Sequence, residues 1–318
     1  MGKYKVGIIS GLIAIILLAT ACQPSTQIKV TGATNLKVIA VESFLADIVQ
    51  NVAGDRLHVE TLIPQGLDPH SFEPTPRDIA NITDSDILFI NGAGLEDWIQ
   101  NVLGDLPEDK VIVEASAGLE SRPINDTDHA NAATTGTDHN LDMNPHFWLD
   151  PNLVITYVKN IQDGLISIDP AGKEIYTTNA DAYTQQLIDL DTYIKEKVAT
   201  IPPDRRLIVT NHESFGYFAD RYGFTVVGTI IHSVSTGSSP SAQQLAELVD
   251  QMRATGATAI FMETGSNPEL ADQLSSETGI KVVYDLYTHS TSSADGPAAT
   301  YIELMKYNVD QMVKALGE

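Results

Sequence analysis

Short apolar runs that alternate with segments of helical periodicity constrain the fold of this chain most. In the first half, these runs are Leu36–Val41, Leu57–Ile63, Ile87–Ile90 and Lys110–Val113, and segments with apolar residues at helical spacing separate them. Short apolar runs between helices are typical of parallel strands, which are buried on both faces of their sheet. The same alternation resumes with the run Leu207–Thr210, so the sequence predicts an α/β fold with two parallel-sheet domains.

Some elements and their ends can be predicted locally. Residues 95–103 are expected to be helical, and residues 282–284 are expected to form a strand. Asp150 and Ser241 are expected to cap the starts of two helices.

One long amphipathic segment lies between the two halves. Asp169-Pro170 is a helix start signal, and apolar residues then recur at spacings of four and three as far as Ile194. A helix over residues 171–201 would be roughly 45 Å long at about 1.5 Å per residue. We therefore expect a single rigid helix to connect the two domains.

The N-terminus carries the pattern of an export signal. Lys3 and Lys5 precede the apolar run Val6–Leu18, which is too short to span a bilayer comfortably. Small residues then lead to Cys22, the only cysteine of the chain, as in a bacterial lipoprotein signal that is cleaved before a lipidated, palmitate-bearing cysteine. An uncleaved anchor helix or an ordinary secretory signal are the alternatives. The predicted divisions are a signal peptide (1–21), a tether (22–35), an N-terminal α/β domain (36–170), a linking helix (171–201) and a C-terminal α/β domain (202–318).

The formal net charge of -23 argues against a nucleic-acid-binding protein, because a phosphate backbone requires clustered Lys and Arg. The negative field of such a protein would instead concentrate cations near its surface, although a need for solubility alone could explain the negative charge.

The polar segment 121–144 shows no periodicity and is predicted to be an exposed loop. Its histidines, His129 and His139, could capture metal weakly or could simply be solvated.

Three histidines occupy the same kind of position, on a loop that follows a predicted strand or turn and precedes a predicted helix. His70 lies in GLDPHSFEPTP, His146 in NPHFWLDP and His212 in TNHESFGYFADRYG. Ligands of open parallel sheets bind beyond the carboxyl ends of strands, where Glu263 and Asp285 are also expected. Three imidazoles and one carboxylate would suit Zn²⁺ in a cleft between domains. Each histidine could alternatively be a hydrogen-bonding turn residue, and each carboxylate a helix or turn cap.

Motifs of common enzymes are missing or broken. His212 and Glu213 begin the HExxH motif of zinc proteases, but Gly216 stands where the second histidine belongs. The GxSxG, GxxxxGK[ST] and GxGxxG patterns do not occur. Trp148 is expected to pack in the wall of the cleft and not to take part directly. The motifs therefore favour a binding protein over an enzyme.

The chain resembles the metal-binding lipoproteins of bacterial ABC importers, which are solute-binding proteins for zinc and manganese. The three histidine segments carry this resemblance, together with SPSAQQLAEL from Ser239 and VVYDL around Asp285, in the order found in the family. The resemblance implies two α/β domains bridged by one long helix, with a metal ion held between them. The metal ligands implied are His70, His146, His212 and Asp285.

Histidine at position 212 favours Zn²⁺, because manganese-type members of the family often have Glu there and nitrogen donors suit zinc. Glu213 or Glu263 could replace one of the implied ligands.

We expect a monomer, anchored by lipid on the outer face of the cell membrane, that delivers Zn²⁺ to a membrane permease. The alternatives are a Mn²⁺-binding member of the same family and a zinc hydrolase with Glu213 as general base. An added role in cell adhesion stays open.

Overall fold

The structure is a computed structural model that describes residues 1–2, 35–104, 106–107, 109–122 and 144–317. The predicted signal peptide, nearly all of the tether, the lipidation site Cys22, and His129 and His139 lie outside the described residues. Within the described ranges, the helices are too short or too polar to cross a membrane.

The first sheet contains four parallel strands in the order β2-β1-β3-β4. The central strands are buried along their whole length, which explains their uninterrupted apolar sequence. The strands are β1 (Val38–Ala40), β2 (Val59–Thr61), β3 (Ile87–Ile90) and β4 (Val111–Glu114).

Four helices accompany this sheet, namely α1 (Ser43–Ala53), α2 (Pro76–Asp84), α3 (Gln100–Leu103) and α4 (Pro151–Ile168). Asp150 begins α4 as predicted, because its side chain accepts a hydrogen bond from the Asn152 N–H. The segment 95–103, predicted to be helical, is helical only from Asp97 onward and is not one continuous α-helix. A 3₁₀ turn (Asp97–Ile99) precedes the single turn of α3, because the buried Glu96 carboxylate instead bonds the backbone N–H groups of Asn91 and Gly92.

Helix α5 (Lys173–Val198) connects the two halves and confirms the predicted bridging helix. Its 26 residues give a length of roughly 39 Å. It contacts α1 and α4 of the first half and α9 (Tyr301–Leu316) near the end of the chain. The segment Pro170–Gly172, predicted to be its first turn, forms a separate 3₁₀ turn. The limits predicted for the two domains remain a prediction.

The second sheet repeats the topology of the first, with four parallel strands in the order β6-β5-β7-β8. Ser241 caps α7 as predicted, in a reciprocal pair of hydrogen bonds with Gln244. The elements are β5 (Leu207–Thr210), α6 (Gly216–Tyr222), β6 (Thr225–Thr229), α7 (Ala242–Thr255), β7 (Ala259–Glu263), α8 (Glu269–Thr278) and β8 (Lys281–Leu286).

One hydrophobic core runs through both halves. It joins residues such as Phe89 of β3, Leu187 of α5 and Phe261 of β7, and smaller clusters cover the opposite face of each sheet. A shared core is difficult to open without exposing large apolar areas to water. The carboxyl ends of the strands in both sheets are therefore held in fixed positions around the site described next.

Candidate metal centre

Four histidine side chains converge at the carboxyl ends of strands from both sheets. His70, His146, His212 and His289 each offer one ring nitrogen, and these four atoms lie within 4.8 Å of one another. The Nε2 atom of His146 is 3.2 Å from that of His70, 3.0 Å from that of His212 and 3.3 Å from that of His289. Four nitrogens bound tetrahedrally to one Zn²⁺ would be about 3.3 Å apart. The spacing around His146 is thus that of a four-nitrogen cation site.

His70 lies in a 3₁₀ turn (Pro69–Ser71) that follows β2. The Asp68 side chain caps this turn by accepting a hydrogen bond from the His70 N–H at 2.9 Å. Trp98, in the 3₁₀ turn Asp97–Ile99, donates a hydrogen bond from its Nε1 atom to the Pro69 carbonyl at 3.0 Å. These two contacts fix the backbone that presents the His70 ring to the cluster.

His146 is fully buried, and Asn144 determines which of its ring nitrogens carries the proton. Asn144 Oδ1 accepts a hydrogen bond from the His146 N–H and lies 2.9 Å from His146 Nδ1. The amide orientation follows from the Asn144 Nδ2 group, which donates to the Glu213 carbonyl. Because an amide oxygen only accepts, the proton of neutral His146 is on Nδ1 and its Nε2 lone pair faces the cluster.

His212 and His289 follow strands of the second sheet. His212 comes just after β5, where its carbonyl accepts a hydrogen bond from Thr210 Oγ1 at 2.9 Å. His289 follows β8, and the carbonyl of its neighbour Thr288 accepts from Trp148 Nε1 at 2.7 Å. Trp148, predicted to pack in the cleft wall, stacks on Phe44 with ring centroids 4.5 Å apart. This tryptophan therefore links the His146 loop to the His289 segment.

Burial and the neighbouring rings lower the pKa of two of these histidines, His70 and His146. Burial lowers the pKa of His70, and the rings of His289 and His212 lower it further. The pKa of His146 is lowered by burial and by its three histidine neighbours. Burial alone would raise the pKa of Glu263, but the adjacent His212 and His289 outweigh it and lower that pKa. The neutral imidazoles of His70 and His146, together with an ionised carboxylate in contact with the other two histidines, suit the site to a cation.

A family model described as the periplasmic component A of the zinc-uptake complex, ZnuA, matches residues 38–315 of this chain. The chain belongs to this family. The ZnuA family comprises metal-binding, substrate-binding proteins of ABC importers and not enzymes, which confirms the predicted class and excludes the zinc hydrolase alternative. Such proteins work together with the membrane permease of the importer.

Individual relatives resemble this ZnuA-family chain over nearly its whole length. It is 33% identical over 307 residues to the manganese-binding lipoprotein MntA of Halalkalibacterium halodurans, covering 96% of this chain and 97% of that protein. It is 32% identical over 286 residues to the iron-binding protein YfeA of Yersinia pestis, covering 90% of this chain and 88% of that protein. The solved periplasmic zinc-binding protein TroA of Treponema pallidum matches with a TM-score of 0.78 and 26% identity, covering 89% and 99% of the two chains.

The structure brings together three of the four residues predicted for the metal site of this ZnuA-family chain, and it places the fourth, Asp285, apart from them. Asp285 is exposed and is absent from the histidine group. The sequence suggested that β8 ends at Tyr284, but the strand continues to Leu286 with an irregular register and a φ of 66° at Asp285. The carboxyl end of β8 therefore lies further along the chain, and the ring of His289 lies beside those of the three predicted histidines. One sequence feature could have pointed to His289: like His212, it lies shortly after a strand of the second sheet.

The two alternative carboxylate donors also lie outside the group of four ring nitrogens. Glu263 contacts the Nδ1 atoms of His212 and His289, on the side of these rings away from the cluster. The backbone N–H of Glu213 donates to the Ser233 carbonyl at 3.0 Å, and its side chain lines a separate cavity. Neither residue replaces a histidine in this structure.

Proposed function

We propose that this chain captures Zn²⁺ outside the cytoplasm, through His70, His146, His212 and His289, and delivers it to the permease of an ABC importer. The observation that carries the proposal is the convergence of four ring nitrogens, with no carboxylate oxygen from the described residues in the group. Imidazole suits zinc, whereas carboxylate and carbonyl oxygens suit manganese. Donor chemistry thus supports zinc.

The site suits capture and release better than chemistry on a substrate. Four protein donors fill a tetrahedral zinc shell and leave no position for an activated water. The ring nitrogens are donors only when they are neutral, and burial favours that state for His70 and His146. These two donors therefore need not release a proton to bind the ion at neutral pH.

Manganese is the second candidate, since MntA is a manganese-binding lipoprotein and is 33% identical to this chain. YfeA binds iron and TroA binds zinc according to their names, so the relatives differ in their metal. The donor atoms of this chain are therefore a better guide to its metal than the metal bound by any single relative.

The predicted signal peptide and Cys22 support the location in this proposal. A cleaved and lipidated Cys22 would hold the protein at the outer face of the membrane, close to the permease. The tether over 22–35 would give the folded part reach from that anchor. The protein would act as a monomer, and no adhesive role is needed to explain the site.

Competition between the two metals tests the choice of zinc. The metal-free protein is titrated with Zn²⁺ and with Mn²⁺ against a chelator of known affinity. We expect zinc to bind at least about 100-fold more tightly, as a four-nitrogen donor set requires. Equal affinities, or a preference for manganese, would make this chain a manganese-binding member of the family.

A further inference from the structure

Glu263 is a buried carboxylate that the set of metal donors does not explain. It is the last residue of β7, and its side chain is only 3% exposed. Its Oε1 atom is 2.7 Å from His212 Nδ1 and 3.3 Å from Ser214 Oγ. Its Oε2 atom is 2.8 Å from Thr288 Oγ1 and 3.3 Å from His289 Nδ1. One carboxylate therefore contacts two of the four histidines, each on the nitrogen that faces away from the cluster.

We propose that Glu263 is a positioning residue that fixes the tautomers of His212 and His289, so that both rings present an Nε2 lone pair to the metal. This inference rests on the proposed metal site. An ionised carboxylate can only accept hydrogen bonds, so the ring nitrogen next to each of its oxygens must carry the proton. A neutral imidazole has one ring proton, and the Nε2 atoms of both rings are then free to bind a cation.

Thr288 fits the same assignment. Its hydroxyl donates to Glu263 Oε2, so the hydroxyl oxygen is left to accept, and it lies 3.1 Å from His289 Nδ1. Both acceptors near this nitrogen therefore require its proton. Glu263 thus orients the His289 ring directly and also through the Thr288 hydroxyl.

Charge gives Glu263 a second effect on the same rings. The four donors are neutral when they bind, so a divalent ion brings two positive charges into a buried site. Within the cluster and its direct contacts, Glu263 supplies the negative charge nearest to His212 and His289. A carboxylate that accepts from the outer nitrogen of an imidazole makes the inner nitrogen a stronger donor. His146 has the neutral amide of Asn144 in the corresponding place.

The substitution Glu263→Gln separates this role from packing. Gln has nearly the same shape but offers one acceptor oxygen and one donor NH₂ group. The NH₂ group faces one of the two Nδ1 atoms, and that ring must move its proton to Nε2 or lose the contact. We expect ¹⁵N-histidine NMR of the metal-free wild type to show both rings protonated on Nδ1, and one ring to change in the variant. Zinc affinity should fall about 10- to 100-fold.

The matched control is Glu277→Gln, which removes an equal charge at an exposed position of α8 and should leave both readouts unchanged. The positioning role is overturned if the rings of the Glu263→Gln protein keep their tautomers, or if its zinc affinity stays within twofold of the wild type. If this variant does not fold, the wild-type spectrum decides, because an Nε2 proton on either ring contradicts the proposal. A wild type that binds no divalent ion overturns the proposed function itself, and the wild-type titration alone reveals that outcome.

Discussion

Asp285 and His289 are only four positions apart, yet they distinguish two kinds of metal site. With His289 as the fourth donor, the site contains nitrogen alone, whereas Asp285 would contribute oxygen. His289→Ala should therefore lower zinc affinity by at least about 100-fold, beyond the roughly 10- to 100-fold cost typical of residues that hydrogen-bond to the metal ligands. The matched change Asp285→Asn should alter the affinity by less than about twofold. Chelator competition measures both, and the reverse pattern would restore Asp285 as a ligand.

The buried histidines also predict how the metal-free protein responds to acid. The pKa of His146 in the fold is lowered by burial and neighbouring rings, whereas an unfolded chain titrates near the usual value of about 6.5. As the pH falls through that value, the unfolded state binds more protons, so the folded state loses stability. His146→Gln should lose part of the difference in melting temperature between pH 7.5 and pH 5.5.

His58 supplies the control for this pH dependence, because its side chain is exposed. His58→Gln should show the same difference in melting temperature between the two pH values as the wild type. If His146→Gln also keeps the full difference, His146 does not contribute to acid sensitivity and its neutral, donor-ready state is in doubt.

At the scale of elements, α5 is expected to carry stability for both halves. Leu187 is fully buried in the shared core, while the adjacent Ile188 is 43% exposed. Leu187→Ala should lower the free energy of unfolding by about 2–5 kcal/mol. Ile188→Ala should change it by no more than about 0.5 kcal/mol. Denaturant titration of both variants measures the difference, and similar losses would show that α5 is not part of a tightly packed core.

The sequence predicted individual elements well where burial and capping act locally. Strands β3 and β5 were placed to the residue, because their apolar runs end sharply at polar neighbours. The start of α7 followed from Ser241, whose cap depends only on nearby residues. The end of β8 was misplaced, because the irregular pairing with β7 depends on a partner strand that the local sequence does not reveal.

For the whole molecule, the repetition of one topology explains why part of the site could be predicted. Loops after parallel strands meet at the same edge of a sheet, so His70 and His212 could be expected near the cleft. Which further residue completes the group depends on contacts between the halves, such as Trp148 Nε1 with the Thr288 carbonyl. These contacts join residues that are distant in sequence. The sequence around one residue of such a pair does not indicate the other, so the contacts could not be predicted.

The central claim is that one divalent ion is bound by four imidazoles held by both halves of the molecule. Diffraction of crystals grown with zinc, recorded on both sides of the zinc absorption edge, tests it most directly. We predict one strong anomalous peak, bonded at about 2.0–2.1 Å to Nε2 of His70, His146, His212 and His289. A peak bonded to Asp285 or Glu213, or no zinc peak between these histidines, would contradict the account.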